Sequence, residues 1–382
     1  MNAHRFDYEL VCADCGRTRS ASAGGFVCAC GGLLGARWTA AFPRERIASR
    51  PATLWRYREA LPFGDLPPLS FGEGMTPLIP APASVGLGPG ALLKLDFMFP
   101  SGSFKDRGAT TLVTALSGLG VRHVLEDSSG NAGAAIAAYC ALAGIACDIY
   151  VPAGTSPGKL NQIGAMGAKL ITVEGGRAAT AAAALAAAQS GYYASHVYNP
   201  FFLAGTRTCA FEIWEQLGWR APEAVAVPVG NGSLLLGVYQ GFRDLLAAGE
   251  IDALPRILAF QSEACAPLAA AHREQVVQPL PVEPGDTLAE GIRVAAPARG
   301  KEILAAVAAT GGSISAVGEA EIRAALRRAI ATGLFIEPTA AVALAGLAAL
   351  PASDRPGETV VVLTGSGLKF AGWARILKEE GK

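Results

Sequence analysis

The sequence predicts an α/β fold: two doubly wound parallel-sheet domains behind a small N-terminal cysteine-rich, zinc-ribbon-like unit. Three observations carry this. From about residue 90 onward, apolar runs rich in Val, Ile and Leu alternate with helical segments, the pattern of parallel strands covered on both faces. Glycine, at 46 of 382 residues, gathers in the loops between those runs. Four of the eight cysteines crowd the first thirty residues. The length predicts two domains at roughly 150 residues each. An apolar share of 51% against 17% charged excludes a disordered chain. Lys+Arg and Asp+Glu are both 32, so the basic surplus of a phosphate-neutralising nucleic-acid binder is missing.

The amino-terminal unit, 1–35, carries Cys12, Cys15, Cys28 and Cys30 as C-x-x-C, twelve residues, then C-x-C. Four thiolates in two close pairs suit a tetrahedral structural zinc, and a closed site leaves no coordination position for catalysis. Metal-free packing of the four is the alternative reading. Cys140, Cys147, Cys209 and Cys265 stand in apolar context and read as small buried hydrophobes. The start, MNAHRFDYELVC, has no apolar core of a signal peptide. The apolar stretch TAAVALAGLAAL is bounded by Pro338 and Pro351 and is shorter than the ~20 residues a bilayer needs. A cytoplasmic protein without membrane partners is expected.

Beyond a Pro- and Arg-bearing connector, ALLKLDF reads as a strand and PSGSFKDRGAT (100–110) as the loop and start of the next helix. VRHVLED is a strand ending in the loop SSGNAG, followed by the helix AAIAAYCALAG and the strand CDIYVP. SPGKLNQIGAMG starts a helix at its Ser156–Pro157 signal. AKLITVEG is a strand, RAATAAAALAAAQS a helix and HVYN (196–199) a short strand. AVAVPVG ends in the loop GNGS before a long helix, RILAFQSE is a strand, 300–350 is mostly helical, and ETVVVLTGSG is the last buried strand. The division expected is 1–35, then 36–105 with 206–382 as a large domain, and 106–205 as a small one.

Three glycine loops, SSGNAG (128–133), GNGS (230–233) and TGSG (364–367), sit at strand ends, where open α/β sheets bind ligands. Glycine lets backbone N–H groups approach an anion, and a following helix presents its positive end. GNGS is therefore a candidate phosphate cradle, although any strand–helix turn can contain glycines. A nicotinamide dinucleotide fits less well: after Gly230 and Gly232 the next glycine is Gly237, which is not G-x-G-x-x-G. No G-x-x-x-x-G-K-[ST] or H-E-x-x-H occurs, so nucleotide-loop and metallopeptidase readings lack their parts.

Lys105 stands in a helix's first turn, where the helix dipole disfavours a cation. Most lysines there are simply solvated. This one gains a reason if its amine is condensed with an aldehyde. PSGSFKDRGA, GEGMTPL (72–78), SSGNAG, GNGS and LTGSGLK (363–369) occur in order along the chain, with LAEGIRV (288–294) and IEPTAAVAL (336–344) beside them. In this set the chain resembles the fold-type II pyridoxal-phosphate enzymes, threonine synthases most closely. The resemblance implies pyridoxal 5′-phosphate as cofactor, with Lys105 condensed to its aldehyde and later moving protons at Cα and Cβ. It implies Asn131 on the phenolic oxygen, and Gly230, Asn231, Gly232, Ser233 and Leu234 around the phosphate. Thr364 would face the pyridine nitrogen with Ser366 as fallback, and Glu337 would lie near the ring. Ser128, Ser129 and Gly130 would take the substrate carboxylate. A hydroxyl beside the ring nitrogen supports a weaker electron sink than a carboxylate. That disfavours transamination and favours expulsion of a group at Cβ or Cγ.

Two positions depart from the threonine synthase pattern. NPFFLAGTRT (199–208) carries Phe202 where the family has a phosphate-binding Arg, with Arg207 as a nearby substitute, and Ala132 replaces the loop threonine, as in ammonia-lyases. The leading expectation is conversion of O-phosphohomoserine to threonine and phosphate by a homodimer. Elimination from threonine or serine, and β-replacement, stay open. A zinc-ribbon binding module on an inactive enzyme fold is the non-enzyme reading.

Overall fold

The structure, a computed structural model, describes residues 8–20, 27–155, 157–188, 191–373 and 376. Ser156, expected to start a helix, lies outside the described residues. In chain order the strands are β1 (Glu9–Cys12), β2 (Thr18–Ser20), β3 (Leu34–Arg37), β4 (Leu78–Pro80), β5 (Ala91–Lys94), β6 (His123–Glu126), β7 (Ala146–Pro152), β8 (Lys169–Val173), β9 (Tyr192–Tyr193), β10 (Ala224–Pro228), β11 (Arg256–Ser262), β12 (Ser313–Val317) and β13 (Thr359–Val362). Among the described residues no helix is long and apolar enough to cross a membrane.

Contacts divide the chain into two units, 1–75 with 105–209 and 76–104 with 210–382. The connector 36–75, expected with the carboxyl-terminal half, lies in the first unit. The reason is local: Trp55 Nε1 donates to Thr110 Oγ1 at 3.0 Å, and Leu69 N to Thr114 Oγ1 at 3.0 Å. Both hydroxyls belong to the helix Lys105–Gly118.

In the first unit β2-β1-β3 form a small antiparallel sheet, and β8-β7-β6-β9 form a parallel one. The segment HVYN is not a strand. The pairing falls earlier, at Tyr192 and Tyr193 beside Val124 and Leu125. In HVYN itself, Val197 N and Tyr198 N donate to Ser195 Oγ, both at 3.3 Å. Asn199 then caps the helix Pro200–Thr206 through Phe201 N, so the segment runs into a helix instead of pairing in the sheet.

In the second unit the order is β12-β11-β10-β13-β5-β4, parallel except for β4. Strand β12 interrupts the 300–350 region expected to be mostly helical. It pairs along β11 from Leu258–Ser313 to Ser262–Val317, and sheet pairing outweighs a local sequence that carries two serines. The helix Pro338–Ala349 is apolar on nearly every side and buried throughout its first ten residues, Pro338 to Leu347, as a helix enclosed by core must be. Lys94, at the end of β5, is fully buried. Its Nζ reaches Glu212 Oε2 at 2.6 Å, Thr76 O at 2.7 Å and Gln216 Oε1 at 2.8 Å, which uses all three ammonium donors.

Candidate active site

In each parallel sheet one strand sits where the order reverses. In the first unit it is β6, with β7 on one side and β9 on the other. Ligands bind beyond the carboxyl ends of strands at such reversals. The loop there carries Ser128, Ser129 and Gly130 and runs into the helix Asn131–Ala143. Gly130 N donates to Ser128 Oγ at 3.3 Å. A Cβ on Gly133 would lie 1.9 Å from Ser128 O, so the loop can fold back on its helix only over glycine. Ser128, Ser129 and Asn131 are half-buried and Gly130 is exposed.

Lys105 is the first residue of its helix and is half-buried. Its Nζ stands 5.6 Å from the centroid of the Phe202 ring. Phe202 is fully buried and presses on Gly108, where a Cβ would sit 2.4 Å from the ring. Arg207, the expected stand-in cation, is engaged at a different place. Its guanidinium lies 3.8 Å over the Trp38 ring and donates to Ala36 O at 3.3 Å.

The sequence reading passed over a second pair here. His196 Nδ1 and Glu126 Oε1 are 2.7 Å apart, with Glu126 wholly buried and His196 12% exposed. Burial pushes the Glu126 carboxyl well above its ordinary range, with the Asp127 charge adding to it and Lys105 opposing. Burial, then Lys105, holds His196 well below its ordinary value. The signal available was an acidic Glu-Asp pair closing an otherwise apolar strand.

In the second unit the reversal falls at β10, with β11 on one side and β13 on the other. Gly230 to Ser233 follow it, and Ser233 and Leu234 open the helix Ser233–Ala247. Gly232 has φ +78°, and its Cβ would meet Ile303 Cδ1 at 2.3 Å; at Gly230 a Cβ would meet Ile292 Cα at 2.8 Å. Asn231, between them, is half-buried. The turn therefore presents backbone N–H groups and a helix start, and no side chain fills it at either glycine.

Thr364 follows β13. Its Oγ1 and Ser103 Oγ are both buried without a hydrogen-bond partner among the described residues, and Ser103 bridges Gly365 through the backbone. Phe104 N donates to Thr364 O at 3.0 Å, and Lys105 is the next residue in the chain. Ser366 Oγ accepts from Leu368 N at 3.3 Å, which commits it to capping the turn that follows. Glu337 lies over Gly365, where a Cβ would be 2.3 Å from Glu337 Oε1.

At the amino terminus the sulfurs of Cys12, Cys15, Cys28 and Cys30 all lie within 4.8 Å of one another. Cys12 Sγ and Cys30 Sγ are 3.5 Å apart, and Cys15 Sγ and Cys28 Sγ 3.7 Å. A tetrahedron with ~2.3 Å zinc–sulfur bonds has edges of about 3.8 Å. The backbone N–H of Cys15 draws the Cys12 thiol down to about 7. The four scattered cysteines are buried.

A glycine turn at the head of a long helix and a lysine at a strand–helix junction are the parts of an α/β enzyme that holds a phosphorylated coenzyme. A family model described as pyridoxal-phosphate dependent enzyme matches residues 69–381. The chain is 36% identical to the threonine synthase of Methanocaldococcus jannaschii, covering 94% of this chain and 92% of that one. It is 38% identical to the threonine synthase of Mycobacterium leprae over 84% of this chain and 89% of that one. The solved fungal L-serine ammonia-lyase from Rhizomucor miehei matches at 25% identity and TM-score 0.68, covering 81% and 98%. The chain belongs to the pyridoxal-phosphate dependent enzymes, as a lyase of the threonine synthase family. The residues present fit that coenzyme: a glycine turn that admits no Cβ at Gly230 or Gly232, and two buried hydroxyls without partners among the described residues, beside the segment that leads into Lys105.

Proposed function

We propose that the chain converts O-phosphohomoserine and water to threonine and phosphate, by elimination and replacement at Cβ and Cγ. Thr364 carries the reaction class. Its buried, partnerless hydroxyl is a neutral partner for a ring nitrogen and cannot hold a proton there as a carboxylate would. The named activity of the relatives supports the substrate. Bound coenzyme supplies the electron sink that makes Cα–H acidic. The protein's part is then binding and proton movement. Gly230, Asn231, Gly232, Ser233 and Leu234 hold the phosphate, and Asn131 donates to the ring oxygen. Ser128, Ser129 and Gly130 orient the substrate carboxylate, and Lys105 moves the proton at Cα and Cβ. The enzyme is read as a cytoplasmic homodimer.

Phe202 favours a second reading. An apolar ring 5.6 Å from Lys105 Nζ suits a neutral leaving group better than a phosphate dianion, which calls for Arg or Lys. That reading is loss of water from threonine or serine. Supplying O-phosphohomoserine, threonine, serine and O-acetylserine, and measuring phosphate, ammonia and 2-oxo acid, separates the two. Phosphate with threonine selects the synthase; ammonia with 2-oxobutyrate from threonine selects the lyase. Borohydride should bleach the yellow protein and label Lys105, and an unlabelled Lys105 would remove it from its role. Zinc in the cysteine cluster is proposed as structural: elemental analysis should give one zinc per chain, lost in Cys28→Ser with the coenzyme retained.

A further inference from the structure

Four groups of the first unit follow one another in space: Lys105 Nζ lies 5.6 Å from the Phe202 ring centroid, the Phe202 and His196 rings meet edge to face with centroids 6.0 Å apart, and His196 Nδ1 is 2.7 Å from Glu126 Oε1. Glu126 is the last residue of β6, at the sheet reversal, just ahead of the loop that carries Ser128 to Asn131. Its Oε2 is buried and has no hydrogen-bond partner among the described residues. No described residue bonds His196 Nε2. A buried carboxyl that engages one ring nitrogen leaves the other to carry a proton, as in proton-transferring histidines generally. The other titratable or charged groups acting on this pair are Asp127, Cys147, Tyr193 and Arg177.

We propose that His196 is a catalytic residue that gives a proton from Nε2 to the oxygen leaving the substrate, and that Glu126 is its positioning residue. The inference rests on the elimination chemistry proposed above and adds the acid that chemistry needs. Lys105 takes the Cα proton, the pair from that C–H bond forms the carbon–carbon double bond, and the C–O pair departs on oxygen. His196 passes its Nε2 proton to that oxygen while the Glu126 carboxyl hands its own proton to Nδ1, and the pair is reprotonated from solvent once the product has gone. Such help matters most where the leaving group is most basic. Water has a pKa of about 15.7, so hydroxide must be protonated to leave, whereas a departing phosphate spreads its charge over several oxygens and can be helped by cationic partners instead. The dyad therefore serves β-hydroxy amino acids, whereas a phosphorylated substrate is served by charge.

The test measures kcat/KM on L-threonine and on O-phosphohomoserine for the wild-type holoenzyme, His196→Gln and Glu126→Gln, with the visible absorbance of bound coenzyme recorded for each. Wild type is read first; turnover of neither substrate overturns the elimination reading itself. Given turnover, His196→Gln should keep its coenzyme absorbance and lose at least ~100-fold on threonine, with a loss under about tenfold on any phosphorylated turnover. Glu126→Gln should show a smaller loss and a displaced pH profile for threonine. Unchanged threonine turnover in His196→Gln, an equal loss on both substrates, or an unmoved profile in Glu126→Gln overturns the proposal. If His196→Gln fails to fold, His196→Asn and the Glu126→Gln profile decide by the same criteria.

Discussion

Replacing Gly232 with alanine tests the turn proposed to hold the coenzyme phosphate. The residue sits at φ +78°, where a side chain costs about 1–2 kcal/mol. Its new Cβ would lie 2.3 Å from Ile303 Cδ1, against roughly 3.5–4.0 Å for ordinary carbon contact. Ile303 is fully buried, so relieving that overlap costs a further ~1–3 kcal/mol. The turn can escape only by rotating its amides away from the positions that meet the phosphate. Since each 1.4 kcal/mol is about tenfold in affinity, coenzyme binding should weaken by about 10–100-fold, with a lowered thermal midpoint for the remainder. The assay is fluorescence titration of apoenzyme with pyridoxal phosphate, beside thermal unfolding. The double variant Gly232→Ala/Ile303→Ala removes the overlap but keeps the strained φ, so it should regain part of the affinity. Wild-type affinity and midpoint in Gly232→Ala would refute the argument, and full recovery in the double variant would refute its backbone half.

Two further outcomes follow from the packing. Lys94→Met leaves the Glu212 carboxylate buried without its cation and should destabilise the protein by about 3–5 kcal/mol, whereas Lys94→Met/Glu212→Leu should recover most of that in denaturant melts. Arg50 hydrogen-bonds Glu59 and holds its carboxyl below the ordinary value. That stability is present above the unfolded pKa of about 4.3 and is lost as pH falls through the lower folded value. The pair is partly solvated, with both side chains about a quarter exposed, so Glu59→Gln should cost no more than ~1 kcal/mol at neutral pH. The difference should vanish in acid, and a pH-independent difference would contradict the assignment.

What the sequence determined by itself is whatever short-range chemistry writes into adjacent residues. Strand–helix alternation follows from apolar periodicity, so β6, β7, β8, β10, β11 and β13 are legible. Glycine turns are legible because only glycine admits a backbone at φ +78° or a neighbour 1.9 Å from its Cβ position. Lys105, Asn131 and the GNGS turn stand out in the sequence because each lies in a short motif at a strand–helix junction. Tertiary structure decided what depends on partners distant in the chain. Strand β12 exists because β11 lies beside it, and the 36–75 connector joins the first unit through hydroxyls on a helix some forty residues away. Arg207 is spent on Trp38, and Glu126 meets His196 across 70 residues. Such pairs leave no periodic trace. A buried carboxyl is costly alone and tolerable only beside its partner, and that partner is known only once the sheet has brought β9 beside β6.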